Sequence, residues 1–229
     1  MSKNKQGAIA IGLILAVRLL LGGLYSVSIP LWEAYDEWGH YAFARFLAAH
    51  WRLPQAGEST ALANDEGRQP PLYYALAGLA SAWVTAPEEF FPERNLVISE
   101  NPASGVNFAV HRPGEDRFPW RGPALALHVM RGVSVLIATL GVWATYQTVR
   151  VWRPRDSGLA LGAAALHAFW PQFLFSGSTV TNDVLASTAG SLFALAMFSW
   201  VRRVWVEKKA ARRAWLGLGL AALLVLLSK

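Results

Sequence analysis

Gly7–Ile29 reads GAIAIGLILAVRLLLGGLYSVSI, an apolar run interrupted by one charge, Arg18. A helix that crosses a membrane needs about 20 mostly apolar residues at ~1.5 Å rise each, and this run is long enough. A cleaved signal sequence is the competing reading. The length of the run, its Arg and the lack of an A-x-A cleavage pattern favour a retained anchor. Next to it, Pro30–Arg121 has the opposite character. It contains no Lys and holds 12 of the 15 acids against seven Arg, a net charge of −5 inside a chain of +6.

The rest of the chain repeats this sorting. Of 229 residues, 54% are hydrophobic and only 16% charged, below the ~25% usual in soluble domains. There is no Cys, which excludes disulfides, thiolate zinc sites and Cys nucleophiles. Outside Pro30–Arg121 the basic residues gather at Lys3 and Lys5, at Arg150, Arg153 and Arg155, and at Arg202, Arg203, Lys208, Lys209, Arg212 and Arg213. Apolar runs separate these clusters, as in membrane proteins whose cytoplasmic loops collect Lys and Arg. A nucleic-acid binder would place its basic residues on one continuous face, so nucleic acid is set aside.

The runs predict an all-α membrane protein. Its expected spans are 7–29, 123–149, 157–175 and 184–201, and Pro171 is expected to kink the third. A fifth begins at 214 and runs to the end of the sequence at 229. Its apolar part, Ala214–Leu227, is short for a crossing, so the chain reads as the N-terminal part of a longer protein. Pro71–Ala86 is apolar but too short to span comfortably. Laying it on the membrane surface puts all three basic clusters on the cytoplasmic side. The N-terminus is then cytoplasmic, residues 30–121 form a large extracytoplasmic loop, and the turn at 176–183 faces the same side.

Within the loop, Tyr35–Trp51 reads YDEWGHYAFARFLAAHW. Trp38, Tyr41, Ala42, Arg45, Phe46 and Ala49 recur at helical spacing, which predicts an interfacial helix over about 36–51. Asp36 and Glu37 stand in its first turn, where the helix dipole favours anions. Pro70 and Pro71 mark the start of a second interfacial helix over about 71–86, with Tyr73 and Tyr74 interface residues by type. Each polar feature has an ordinary reading too. Asp36 and Asn182-Asp183 suit helix caps, and Arg131 suits snorkelling to the interface. Asp36, Glu37 and His40 share a helix face, making Asp36 and His40 weak candidates for a divalent metal; an interfacial His is the commoner outcome at such spacing. Arg18 is expensive in mid-membrane and calls for a buried partner that the sequence does not name.

Taken in order, the acidic pair Asp36-Glu37, the segment Gln69-Pro70-Pro71-Leu72-Tyr73-Tyr74, Arg131 at the start of the next span, and Trp170–Phe175 leading to Asn182-Asp183 resemble the GT-C superfamily of polytopic glycosyltransferases. The likeness is to the protein O-mannosyltransferase and aminoarabinose transferase branch. The resemblance implies a GT-C-like membrane domain that moves a sugar from a polyprenyl-phosphate donor to an extracytoplasmic acceptor (glycan, lipid or protein) at the bacterial inner membrane. It implies Asp36 as the catalytic carboxylate that accepts the acceptor's proton, with Glu37 and Asp183 as further catalytic candidates. Arg45, Arg68, Gln69, Arg131 and Asn182 become the substrate-binding candidates. The aminoarabinose transferases carry Glu-Lys where this chain has Arg68-Gln69. The alternative is a non-catalytic polytopic membrane protein, a transporter or an assembly subunit, with the same architecture. Broken or polar helices at mid-membrane would mark a transporter.

Overall fold

The structure, a computed structural model, describes residues 3–55, 66–97, 105–208 and 212–228. Most of the polar stretch 55–68, and Lys229 at the end of the expected fifth span, lie outside the described residues. Among the described residues the chain is helical without a strand; one isolated antiparallel bridge joins Arg94 and Ala109. The helices are α1 (Lys3–Ser28), α2 (Glu37–His50), α3 (Leu72–Ser81), the one-turn α4 (Pro113–Asp116), α5 (Gly122–Trp152), α6 (Ser157–Phe169), α7 (Pro171–Ser176), α8 (Asp183–Val201) and α9 (Arg212–Leu226). A 3₁₀ turn, Glu66–Arg68, precedes α3, and α8 continues as a π-helical turn over Arg202–Val206.

Among the described residues, three segments are long and apolar enough to cross a membrane: Lys5–Ser28, Gly122–Trp152 and Asp183–Val206. Many of their large apolar side chains, including Leu13, Leu20, Leu24 and Leu136, are exposed. Such exposure is a liability in water and costs nothing against lipid tails. The chain is therefore an integral membrane protein. The expected third span, 157–175, is not one helix. Trp170 leaves the helical region (φ −63°, ψ 120°), and α7 starts afresh at Pro171. Proline disfavours the helical conformation in the residue before it, so the expected kink is a break. α3 has ten residues, about 15 Å of rise, half the hydrocarbon thickness.

Two compact units divide the chain. The first comprises residues 1–23, 135–177 and 182–229. Its core joins Ile11, Val142 and Tyr146 to Ala160, Ala164 and Ala168. The three alanines recur every fourth residue, a small-residue stripe that lets helix backbones approach without a hydrophobic driving force. Thr188 on α8 donates to the Ile137 carbonyl of α5 at 2.9 Å. A side chain at Gly141 would meet that hydroxyl at 2.8 Å, so glycine is what permits the approach.

The second unit comprises residues 24–134 and 178–181. α2 and α3 pack so closely that a Cβ on Gly78 would lie 2.1 Å from the Ala44 carbonyl oxygen. Tyr41, Phe43, Tyr73 and Tyr74 are fully buried. This corrects two expectations. Tyr73 and Tyr74 face protein, not a membrane interface, and α2 buries Ala44 and Leu47 beyond the single stripe. The physical reason is contact on two sides: α3 meets α2 at Gly78, and the 3₁₀ turn meets it at Gly39.

Candidate functional site

Glu37, the first residue of α2, and Arg131, from α5, meet in the centre of the second unit with both side chains wholly buried. Arg131 donates from Nε to Glu37 Oε1 at 2.9 Å and from Nη2 to Oε2 at 2.6 Å. Its remaining N–H groups go to the carbonyls of Ser26, Ile29 and Pro30 at 2.7, 2.8 and 3.1 Å. These carbonyls belong to the end of α1 and the turn after it, where no helical partner remains; a cation there also complements the helix dipole. Glu37 accepts two backbone amides besides, from Trp32 at 3.3 Å and Val180 at 3.0 Å. Every donor of the guanidinium is thus used.

This geometry corrects two expectations. Arg131 neither snorkels nor presents a free donor to a phosphate. Glu37 is its counter-ion and an anchor for two turns, with no lone pair open for proton transfer.

Asp36 stands beside this pair with a different character. Its backbone is left-handed (φ 52°, ψ 17°), its side chain makes no capping bond to α2, and its carboxylate has no hydrogen bond to the described residues. The capping explanation therefore fails for Asp36. Asp tolerates this backbone region better than most residues, yet the conformation is uncommon enough to mark functional positions. Burial, followed by the charge of Glu66, pushes the carboxyl above the ordinary aspartate range, and His40 opposes them.

One turn on from Asp36, His40 Nδ1 lies 2.9 Å from both Tyr74 Oη and Glu66 Oε2. Tyr74 donates to Glu66 Oε2 at 3.2 Å, and Gln69 donates to the same oxygen at 2.8 Å. A carboxylate accepting all of these assigns the Nδ1 proton to His40. Gln69 thus braces Glu66. Sequence reasoning passed over Glu66; its one signal is an acid four residues before the Pro70-Pro71 helix start. It also passed over Glu33, whose carboxylate accepts the amides of Phe108 and Ala109 at 2.9 and 2.8 Å and so pins the distal loop. Tyr73 was expected at the interface. Its hydroxyl instead pairs with Ser134 Oγ at 2.7 Å and accepts Thr181 N–H at 3.2 Å.

The other expected site residues scatter. Arg45 donates to the carbonyls of Ser81, Val84 and Ala86 at 2.8, 3.2 and 2.8 Å, closing the C-terminal end of α3. Arg68 is exposed on the 3₁₀ turn. Asn182 and Asp183 belong to the first unit. Asn182 is buried and makes no side-chain cap, its Nδ2 lying 3.5 Å from the Ser228 carbonyl; Asp183 is exposed. Among the described residues no group of three or more His, Asp or Glu is arranged to hold a metal ion. His40 Nδ1 is engaged by Glu66 and Tyr74, and among the described residues no third His, Asp or Glu joins Asp36 and His40 in such a group.

Arg18, also in the first unit, is fully buried. Its guanidinium lies 5.5 Å from the Phe173 ring centre, and a Cβ on Gly22 or Gly177 would collide with it at 2.7 or 2.5 Å. Among the described residues none of its nitrogens has a hydrogen-bond partner.

A cleft of about 560 Å³ opens in the second unit. Trp32, Phe90 and Phe118 line it with Arg117, Arg121 and the start of α5 at Gly122. Trp32 packs its ring against Phe90 and Tyr41 at centroid distances of 4.8 and 5.3 Å, and its amide is the one held by Glu37. Fold and site together define a helical integral membrane protein with a compact, acid-rich unit built on α2 and α3. No protein-family model, curated protein or solved structure matches the chain.

Proposed function

We propose that the protein is a membrane glycosyltransferase of GT-C type, moving a sugar from a polyprenyl-phosphate donor to an extracytoplasmic acceptor at the bacterial inner membrane. The observation that carries this is Asp36. It is an unengaged carboxylate in a strained backbone, with raised proton affinity, held in place by the buried Glu37–Arg131 pair. In this reading the acceptor O–H gives its proton to Asp36 while its oxygen attacks the anomeric carbon. The bond from that carbon to the carrier phosphate breaks, and the phosphate leaves with the electron pair. A base with affinity closer to the working pH transfers protons more effectively. The cleft supports the same reading. Aromatic faces suit sugar rings, and Arg117 and Arg121 in the cleft lining are cations suited to a phosphate, whereas Arg45 and Arg131 are committed inside.

In this proposal the N-terminus is cytoplasmic and residues 30–121 lie outside. The test is transfer from a polyprenyl-phosphate sugar in membranes containing the full protein. Asp36→Asn should lose about 10²–10⁴-fold in rate at matched expression, and Glu37→Gln should act only through loss of folded protein. Wild-type transfer by Asp36→Asn refutes the assignment.

One observation favours the second reading, a transporter. The break between α6 and α7, with the buried, unsatisfied Arg18 against Phe173, has the character of a substrate pathway through a membrane. Reconstituted protein that moves an anion across vesicles, and loses this on Arg18→Met, would establish that reading over the first.

A further inference from the structure

Neither functional reading uses the end of the first unit where α1 begins, α5 stops and α6 starts. A cavity of about 940 Å³ lies there, the size of a small-molecule site. Two candidate spans meet at this level: one opens at Lys5 and the other closes at Trp152. The cavity therefore stands where hydrocarbon gives way to headgroups. Trp152, in its wall and 49% exposed, is of the residue type that settles at this boundary.

The lining is polar at the ends of the helices and apolar one turn deeper. On α1, Gln6 is followed four residues on by Ala10; on α6, Ser157 is followed by Leu161. Four residues are about 6 Å of rise toward the middle of a span. Arg153 and Arg155 belong to the polar part. Both are exposed, and among the described residues neither guanidinium has a hydrogen-bond or ion-pair partner. The turn that carries them is held by its own backbone: Arg153 N–H donates to the Val149 carbonyl at 2.7 Å, and Asp156 N–H to the Arg153 carbonyl at 3.1 Å. Arg202, by contrast, is spent on the Val151 carbonyl and Glu207. One acid lines the cavity. It is Asp156, whose carboxylate caps α6 by accepting Leu159 N–H at 2.9 Å. Two guanidinium groups against one carboxylate leave one positive charge over. The amides of Ser157 and Gly158, in the first turn of α6, have no helical partner and add donors.

We propose that this cavity is a binding site for an anionic phospholipid, with the phosphodiester on Arg153, Arg155 and the first turn of α6, and the acyl chains over Ala10 and Leu161. A phosphodiester carries one negative charge, which the lining balances, and its oxygens accept from guanidinium groups and helix-start amides. The apolar floor distinguishes a lipid from a free anion: chains cover it, whereas a free phosphate leaves it in water. A basic pocket between spanning helices is the form that headgroup sites take.

Native mass spectrometry of the purified full-length protein in a fixed detergent tests this with two probes, phosphatidylglycerol and phosphatidylethanolamine. Wild type should take its first phosphatidylglycerol more tightly than phosphatidylethanolamine. Each basic residue at an anionic lipid surface contributes about fivefold in affinity, so Arg153→Gln with Arg155→Gln should weaken phosphatidylglycerol about 30-fold. Arg203→Gln with Lys208→Gln removes two exposed charges outside the lining and should leave binding unchanged. Ala10→Trp fills the apolar floor, keeps every charge, and should also weaken phosphatidylglycerol. Equal losses in the two double variants mean diffuse attraction to a basic end and overturn the proposal, as does equal wild-type affinity for the two lipids. Unweakened binding in the arginine variant, or in folded Ala10→Trp, overturns it too. If Ala10→Trp does not fold, the arginine variant decides alone. Soluble glycerol phosphate, which has the charge without the chains, should not displace the lipid; displacement at comparable concentration makes this a free-phosphate site and refutes the lipid.

Discussion

Breaking the Glu37–Arg131 pair should be the most damaging single change in the second unit. Both side chains are wholly buried, and the pair makes two charge-assisted bonds within itself and five more to the backbone. Glu37→Gln keeps the volume but puts an amide NH₂ against donors on both sides: Arg131 Nη2 and Trp32 N–H at one oxygen, Arg131 Nε and Val180 N–H at the other. The guanidinium is then left charged without a counter-ion. Removing one partner of a buried pair costs about 3–5 kcal/mol, which for a chain of this length corresponds to roughly 6–20 °C in melting temperature. Arg131→Lys should be nearly as harmful, because three donors on a flexible stem cannot serve five positions held in a planar fork.

The double replacement Glu37→Met with Arg131→Met removes both charges. It should therefore cost less than Glu37→Met and Arg131→Met added together, although three carbonyls and two amides lose their side-chain partners. Thermal unfolding in a fixed detergent, followed by tryptophan fluorescence, measures each variant against wild type. If Glu37→Gln unfolds within about 0.5 kcal/mol of wild type, the pair is not the anchor argued above.

Other outcomes follow from single positions. Gly78→Ala drives a methyl into the Ala44 carbonyl and must separate α2 from α3; a loss of about 1–3 kcal/mol is expected, and an unchanged melting temperature would contradict the close contact. Asp36→Asn should raise stability at neutral pH, since the folded state disfavours the Asp36 charge. For a group whose folded affinity is raised, the stabilising contribution is present below the unfolded value near 3.8 and is lost as pH rises through the folded one. The advantage of Asn must therefore vanish in acid, which unfolding curves across pH will show. A Cys replacing exposed Asn107 should react with an impermeant thiol reagent in intact cells, whereas reaction only after lysis would invert the proposed topology.

Much of the membrane architecture follows from composition along the chain. Lipid requires long uncharged helices, and Gly7–Ile29, the run after Pro123 and the run after Val184 cannot satisfy any other environment. The break at Trp170-Pro171 was half legible, because proline constrains its predecessor but does not say whether the helix bends or stops. The helical character of α2 and its acidic start were readable from spacing and dipole.

What each acid does was not readable. Asp36 and Glu37 are adjacent, with the same charge and both suited to a first helical turn. They differ because Asp36, in a left-handed turn before the helix, makes no capping bond, while the helix sends the next carboxylate inward to Arg131, 94 residues away in sequence. Arg131 suits snorkelling or a phosphate contact by sequence, because sequence gives depth along a span but not which face meets protein. Glu66 was passed over because its neighbours come from two helices flanking it, and its seat is a missing side chain at Gly39. Chain order determines which segments enter lipid, since transfer from water depends on local composition. Tertiary packing decides which charges pair and which remain available, since that depends on side chains that only the folded chain brings within 3 Å.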